Sequence, residues 1–103
     1  MGEQHLQQLL ASVEKHAGVV GVVIYENSHG QLVYTSLADR GLAQRHAQVM
    51  HKVCAATNEG LSEINDRDKA SIIRIRTREH ELIVKPEEQY TLLVIQDPVA
   101  ATK

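Results

Sequence analysis

The stretch SIIRIRTREHELIVKPEEQYTLLVIQDP, residues 71–98, predicts three short strands joined by two tight turns. Its first part alternates between two faces with the period of two that is typical of a strand with one buried side. Ile73 and Ile75 share one face, while Arg74 and Arg76 share the other. We therefore expect a first strand that is buried on one side only.

Two further strands follow within the same stretch. Residues 80–85 form a second run, and Pro86 is expected to close it because proline has no backbone N–H to donate to a ladder. The turn chemistry of residues 86–89 precedes a third run over residues 90–95. Consecutive apolar residues in that third run leave neither face solvated, so we expect it inside the sheet.

The first third of the chain predicts a helix and a hairpin. Apolar residues at steps of three and four predict a first helix over residues 3–16, ended by Gly18. Residues 18–25 are apolar on both faces and predict a central strand. Gly30, which can adopt a positive φ, ends the following loop, and residues 31–35 return as an antiparallel partner.

The middle of the chain predicts one long amphipathic helix over residues 39–63, with Asp39 suited to its N-cap. Gly60 lowers helix stability by about 1 kcal/mol relative to alanine, so the last turn is expected to fray or end there. The positions that define the helix are separated by steps of three and four residues. They are Leu42, His46, Val49, Met50, Val53, Cys54, Thr57, Leu61 and Ile64.

The order of these elements is helix, two strands, helix, three strands. It segregates the helices from an antiparallel sheet, which is typical of the α+β class. With 103 residues, the chain is expected to form a single domain over residues 1–103. It has no Trp, no Phe and only 3 Tyr, so its core must be built from Val, Ile, Leu and Ala. Such a core is modest, and a partner subunit would add to it.

Composition and charge argue against several classes of partner. The 11 basic and 13 acidic residues are scattered and give a net charge of −2, which disfavours an electrostatic grip on nucleic acid. Arg74, Arg76 and Arg78 form a small basic cluster, but Glu79 and Glu81 follow at once, so we expect a solvated surface of mixed charge. No apolar run approaches the roughly 20 residues that cross a bilayer, and no signal peptide is visible. The single cysteine fits a reducing compartment. We therefore expect a cytosolic protein with no nucleic acid or membrane partner.

Several separated segments match one known family in register. In the last third of the chain they are RIRT at residues 74–77, ELIV at residues 81–84, Tyr90, and LVIQDP at residues 93–98. Upstream they are GVVGVV at residues 18–23, Asn27, Gly30, Thr35, Met50, His51 and Ile64. Together these positions resemble the roadblock/light chain seven family, the small light chains of dynein motors. The resemblance covers nearly the whole chain.

The resemblance implies a five-stranded antiparallel sheet with both helices on one face. It further implies a homodimer in which the long helices pack together and the edge strands pair across the two-fold axis into one continuous sheet. Joining two edges would satisfy backbone groups that a lone edge strand leaves unpaired. The residues expected at this interface are Leu42, His46, Val49, Met50, Val53, Ser71, Ile72, Ile73 and Arg74.

The same resemblance implies two alternative functions. The first is a non-catalytic dynein light chain that binds the dynein intermediate chain, in the cytoplasm, on the cytoskeleton or in the axoneme of a cilium. Pairing with a paralogous light chain is an open alternative to self-association. The second function is a platform that scaffolds or regulates a small GTPase, because similar roadblock domains occur in such complexes. The short segment after Pro98, with no further helix, favours the motor role.

No group of residues in the sequence indicates catalysis or a cofactor. His46, Met50 and Cys54 lie at i, i+4 and i+8, but ligands spread along about 12 Å of one helix cannot close around an ion by themselves. A buried or dimer-facing stripe is expected there in place of a metal site. In the triplet Glu-His-Glu at residues 79–81, Glu79 and His80 fall at a tight turn with no nucleophile motif in view, so the three are expected to be turn and edge residues. We therefore expect no enzyme activity, no cofactor and no metal.

His46 carries a hypothesis about pH. It stands where the family usually has an aromatic residue, and its expected position is at the two-fold interface. If it is buried there without a carboxylate partner, protonation in the ordinary imidazole range, near a pKa of about 6.5, would weaken the dimer.

Overall fold

The computed structural model describes positions 8, 10 and 11 and residues 18–98. Its elements are strands β1 (Val19–Glu26) and β2 (Leu32–Thr35), helix α1 (Arg40–Ile64), and strands β3 (Ile73–Arg76), β4 (Glu81–Pro86) and β5 (Tyr90–Gln96). All five predicted strands and the predicted long helix are present. The predicted first helix, residues 3–16, falls mostly outside the described residues, although positions 8, 10 and 11 are helical.

The five strands form one antiparallel sheet in the order β2-β1-β5-β4-β3. Strand β5 lies at its centre between β1 and β4, as its apolar sequence predicts. Strands β2 and β3 form the two edges. Pro86 is the last residue of β4, which confirms its predicted place at the end of that strand.

Helix α1 packs on one face of the sheet and covers the main core. Alternating side chains of the central strands meet three residues of the helix there. They are Val23, Tyr25, Val84, Leu93, Ile95, Ala43, Ala47 and Met50. On the edge strand, Ile73 and Ile75 pack against this core, while Arg74 and Arg76 are exposed. The alternation predicted for this strand is therefore confirmed.

The opposite face of the sheet carries a second, smaller core. Val22, Ile24, Leu92 and Val94 are buried there, and Leu10 packs against them. Leu10, which belongs to the predicted first helix, therefore contacts the face of the sheet that α1 does not cover. The expectation of both helices on one face is therefore wrong at this residue. The physical reason is that β1 and β5 are apolar on both faces, so each face needs a cover.

The ends of the elements follow local backbone chemistry. Asp39 caps α1 as predicted, because its carboxylate accepts a hydrogen bond from the Leu42 amide at 3.0 Å. The helix continues past Gly60, so the fraying expected there does not occur. Gly18 and Gly30 have φ values of 89° and 72°, which only glycine adopts without strain, and they form the turns before and after β1.

Candidate functional site

An apolar stripe runs along the solvent side of α1. Leu42 and Val49 are 40% and 46% exposed, and Ile64 is 85% exposed. Val53, between them, is half-buried. These four residues, here termed the α1 stripe, lie on one side of the helix, roughly 100° around its axis from the residues that reach the core. No helix in the described part of the chain is long and apolar enough to span a bilayer.

Met50 does not belong to the α1 stripe. It is only 5% exposed and packs in the core beneath the helix. The reason is geometric, since Met50 follows Val49 by one residue and each residue turns an α-helix by about 100°. Met50 was expected at the dimer interface, but the structure leaves it almost no surface to offer a partner.

His46 lies beside the α1 stripe, and its ring is tied to its own helix. The Nδ1 atom lies 2.9 Å from the Leu42 carbonyl oxygen, so a neutral ring donates from Nδ1 and leaves Nε2 as an acceptor. Met50 points into the core and Cys54 approaches Tyr25. The side chains at positions 46, 50 and 54 therefore do not converge. Among the described residues, no group of three or more His, Cys, Asp and Glu side chains could hold a metal ion.

Strand β3 forms the second part of the expected interface. Among the described residues it pairs with β4 alone, so its other side presents backbone groups without a neighbouring strand. Ile72, just before the strand, is 48% exposed, and Ser71 and Arg74 are exposed as well. Ile73 packs against the core that Val53 also contacts. Val53 of the α1 stripe and Ile73 of the open edge therefore pack against the same core.

A cavity of about 490 Å³ opens between α1 and the β4–β5 hairpin. Tyr25 lines it, and its hydroxyl lies 3.6 Å from the Cys54 thiol. Burial raises the pKa of Tyr25 above its usual range. The rings of His51 and Tyr25 form a T-shaped contact at 87°, with centroids 6.0 Å apart. Polar groups such as the Tyr25 hydroxyl and the Cys54 thiol therefore line the cavity, together with the packed rings of Tyr25 and His51.

Asn27 holds one wall of this cavity in place. Its side-chain amide donates to the carbonyl oxygens of Glu87 at 2.7 Å and Glu88 at 3.1 Å. Its oxygen accepts a hydrogen bond from the Thr91 hydroxyl at 2.6 Å. Asn27 therefore joins the β1–β2 loop to the β4–β5 turn. Sequence analysis missed this role because the partners are 60 or more residues away, and no local pattern indicates them.

The triplet at residues 79–81 belongs to the β3–β4 turn and the sheet. Thr77 closes that turn, because its hydroxyl accepts from the His80 amide at 3.0 Å. Glu81 accepts from the Gln96 side chain at 2.8 Å and lies 3.9 Å from the Arg74 guanidinium. His80 therefore lies at the turn, as predicted, whereas Glu81 is the first residue of β4, an inner strand of the sheet.

The comparisons with known proteins identify the family. The Roadblock/LC7 domain profile matches residues 5–97. The chain belongs to the Roadblock/LC7 family. The fold and the resemblance drawn from the sequence agree with this membership.

Solved structures show the same roadblock fold. The Roadblock/LC7 domain from Streptomyces avermitilis matches with a TM-score of 0.76 and 12% identity, over 85% of this chain and 73% of that one. The gliding protein MglB from Thermus thermophilus matches with a TM-score of 0.75 and 14% identity, over 94% of this chain and 74% of that one. An MglB structure with a tetrameric arrangement matches with the same values. At these identities the likeness concerns the fold alone.

Proposed function

We propose that this roadblock chain is a non-catalytic subunit that forms a homodimer and serves as a platform for a small GTPase. The observation that carries the proposal is that α1 exposes an apolar stripe while β3 leaves one edge of the sheet open. Roadblock domains similar to this one occur in small-GTPase complexes. The matched MglB proteins, one a gliding protein and one in a tetrameric arrangement, support this role better than a motor role.

The α1 stripe is self-complementary about Val53. Leu42 and Ile64 lie eleven residues before and after it. Two copies that pack antiparallel about Val53 therefore set Leu42 of each copy opposite Ile64 of the other. Full burial of an aliphatic side chain contributes about 1.5–3 kcal/mol. Covering the exposed parts of the stripe on both copies thus offsets much of an association cost of roughly 4–15 kcal/mol.

The open edge of β3 supplies the second half of the interface. Antiparallel pairing of two such edges would extend the five-stranded sheet across the two-fold axis. Each backbone hydrogen bond formed there contributes about 0.5–1.5 kcal/mol net. The pairing also removes an edge with exposed Ile72 at its start, which would otherwise favour aggregation.

A two-fold platform presents every other surface of the chain twice. A GTPase that binds one copy therefore has an equivalent position on the second copy. In this role the roadblock dimer positions or regulates the GTPase, and the GTPase carries out the hydrolysis.

A dynein light-chain role is the second candidate, and the match of the C-terminal segments to motor light chains favours it. In that role the dimer would bind the dynein intermediate chain, and a cytoplasmic or axonemal location would follow from the motor. Those segments, however, contain strand residues such as Val84 and Leu93, which are fully buried. These buried residues specify the fold that both roles share, and a partner cannot contact them directly.

Two measurements on the full chain separate these roles. The first is GTP hydrolysis and nucleotide exchange by small GTPases of the source organism, with and without the dimer. We expect a change in rate, and the monomeric variant Val53→Asp should abolish it while Gln48→Asp, on another side of α1, should retain it. The second is affinity capture of the tagged chain with mass spectrometry. Recovery of dynein intermediate and heavy chains, together with unchanged GTPase rates, would overturn the platform role in favour of the motor role.

A further inference from the structure

The edge strand β3 carries a row of positive charge on the face of the sheet that α1 does not cover. Arg74 and Arg76 alternate with Ile73 and Ile75, which pack toward the core beneath α1. Both guanidinium groups therefore lie on the opposite face. The Arg74 side chain is 62% exposed, and Arg76 is exposed as well.

In one protomer this row has a carboxylate beside it. Glu81 pairs with Arg76 across the β3–β4 ladder, and one of its oxygens lies 3.9 Å from the Arg74 guanidinium. Its other oxygen accepts from Gln96 at 2.8 Å. Two arginines against one carboxylate make an ordinary surface of mixed charge, as the sequence predicts.

In the proposed dimer, the arginine rows of the two copies lie next to each other across the two-fold axis. This step rests on the proposed function. Residues that stand opposite each other in an antiparallel pair point to the same face of the sheet. Because both α1 helices would share one face, Arg74 and Arg76 of both copies would share the other. Opposite side chains start about 5 Å apart, and alternate residues along a strand lie about 7 Å apart. In the register that places Ile75 on the two-fold axis, Arg74 of each copy would stand opposite Arg76 of the other, and four guanidinium groups, here termed the arginine block, would meet there.

We propose that the arginine block is a docking site for a short acidic segment of a partner protein. Four close positive charges repel one another, and a segment with two or more carboxylates or phosphates relieves that repulsion. It also gains the bidentate, charge-assisted hydrogen bonds for which guanidinium groups are suited.

The size and the borders of the block favour a short segment over an extended polyanion. Glu81 of each copy closes the block on either side, and the chain as a whole carries a net charge of −2. Nucleic acid or an anionic bilayer would extend over these carboxylates, which repel it. A short acidic segment fits between them.

The site is complete only in the dimer, so binding of the acidic segment is thermodynamically coupled to dimerisation. The segment binds the dimer more tightly than the monomer, and by linkage it strengthens the dimer.

A fluorescein-labelled hexaglutamate peptide tests the proposal by fluorescence anisotropy on the full chain, with the mass of each sample measured by light scattering. The double variant Arg74→Gln/Arg76→Gln should remain a dimer and bind roughly tenfold or more weakly. The control Arg40→Gln/Arg67→Gln removes the same charge from exposed positions outside the block and should bind within about twofold of the wild type. Equal loss in both variants, or no loss in either, would overturn the docking site.

The light-scattering mass separates failure of the dimer from failure of the site. A monomeric wild type would refute the two-fold geometry, and with it the block. A dimer that binds the peptide without need of Arg74 and Arg76 would refute the block alone. Binding of phosphatidylserine vesicles or of a single-stranded DNA 20-mer as tightly as the peptide would overturn the assignment to an acidic protein segment.

Discussion

The hydroxyl of Tyr25 and the thiol of Cys54 lie 3.6 Å apart where the middle of α1 meets β1. Tyr25 is 1% exposed, so its phenol is almost completely removed from solvent. Burial raises the pKa of this phenol above its usual range, and the contact with Cys54 acts in the same direction. The pair therefore joins α1 to β1 beneath the helix.

The titration of Tyr25 is the first prediction. The folded-state pKa lies above the ordinary value of 10.0, so the neutral phenol contributes stability that is complete below pH 10 and is lost as the pH rises further. We expect an ultraviolet absorbance titration to show one tyrosine that ionises late, together with unfolding. Tyr25→Phe should remove that step, and Tyr34→Phe should keep it. Ionisation of Tyr25 near pH 10 in the folded protein would contradict this.

Glu26 gives a prediction at acid pH. Its carboxylate accepts hydrogen bonds from the Ser28 hydroxyl and from the amides of Ser28, His29 and Gln31. These donors, the Ser28 hydroxyl first, lower the pKa of Glu26 from 4.5 to about 2. The stabilisation of the β1–β2 loop is therefore complete above pH 4.5 and lost as the pH falls toward 2.

Amide chemical shifts measured by NMR from pH 7 to 1.5 check this loop. The His29 and Gln31 amides should titrate with a midpoint near pH 2. The variant Glu26→Gln should lack the step. A midpoint near 4.5 in the wild type would show that the loop bonds do not hold in solution.

Val53→Asp tests the proposed centre of the dimer. The two-fold axis would bring two aspartates together in an apolar contact, and such like-charge contacts cost several kcal/mol. We expect the dimer dissociation constant to rise by roughly a hundredfold or more, as measured by sedimentation equilibrium. Gln48→Asp, exposed on another side of α1, should leave the dimer intact. A Val53→Asp dimer of unchanged affinity would place the interface elsewhere.

Replacing Gly30 or Gly60 by alanine should change the free energy of unfolding in opposite directions. A Cβ at Gly30 would lie 2.9 Å from the His51 side chain, at a φ of +72°. Gly30→Ala should therefore lower the free energy of unfolding by about 1–3 kcal/mol. Gly60 lies within α1 with nothing inside 4 Å, so Gly60→Ala should raise it by about 1 kcal/mol. Urea unfolding of both variants in the monomeric Val53→Asp background keeps dimer contacts out of the comparison.

The family resemblance predicts the fold of this chain but does not by itself identify the partner. The matched segments contribute buried strand residues such as Leu93 and Val94, whose identities depend on packing in the core. They lead correctly to the Roadblock/LC7 fold. The choice between a motor and a GTPase partner depends on exposed residues that lie outside those buried positions, and this is why the segments favour the motor role without deciding it.

The sequence by itself determined the elements and the composition of the core. Alternation along β3, the double-sided apolar run of β5 and the Asp39 cap are local patterns, and local backbone geometry translates them directly into structure. Only the tertiary structure decided which face each element covers. In the structure Met50 packs in the core while the neighbouring Val49 is exposed. Leu10 lies on the face of the sheet opposite α1, and Asn27 is hydrogen-bonded to Thr91. These outcomes depend on contacts between segments far apart in the chain, and no local period encodes them.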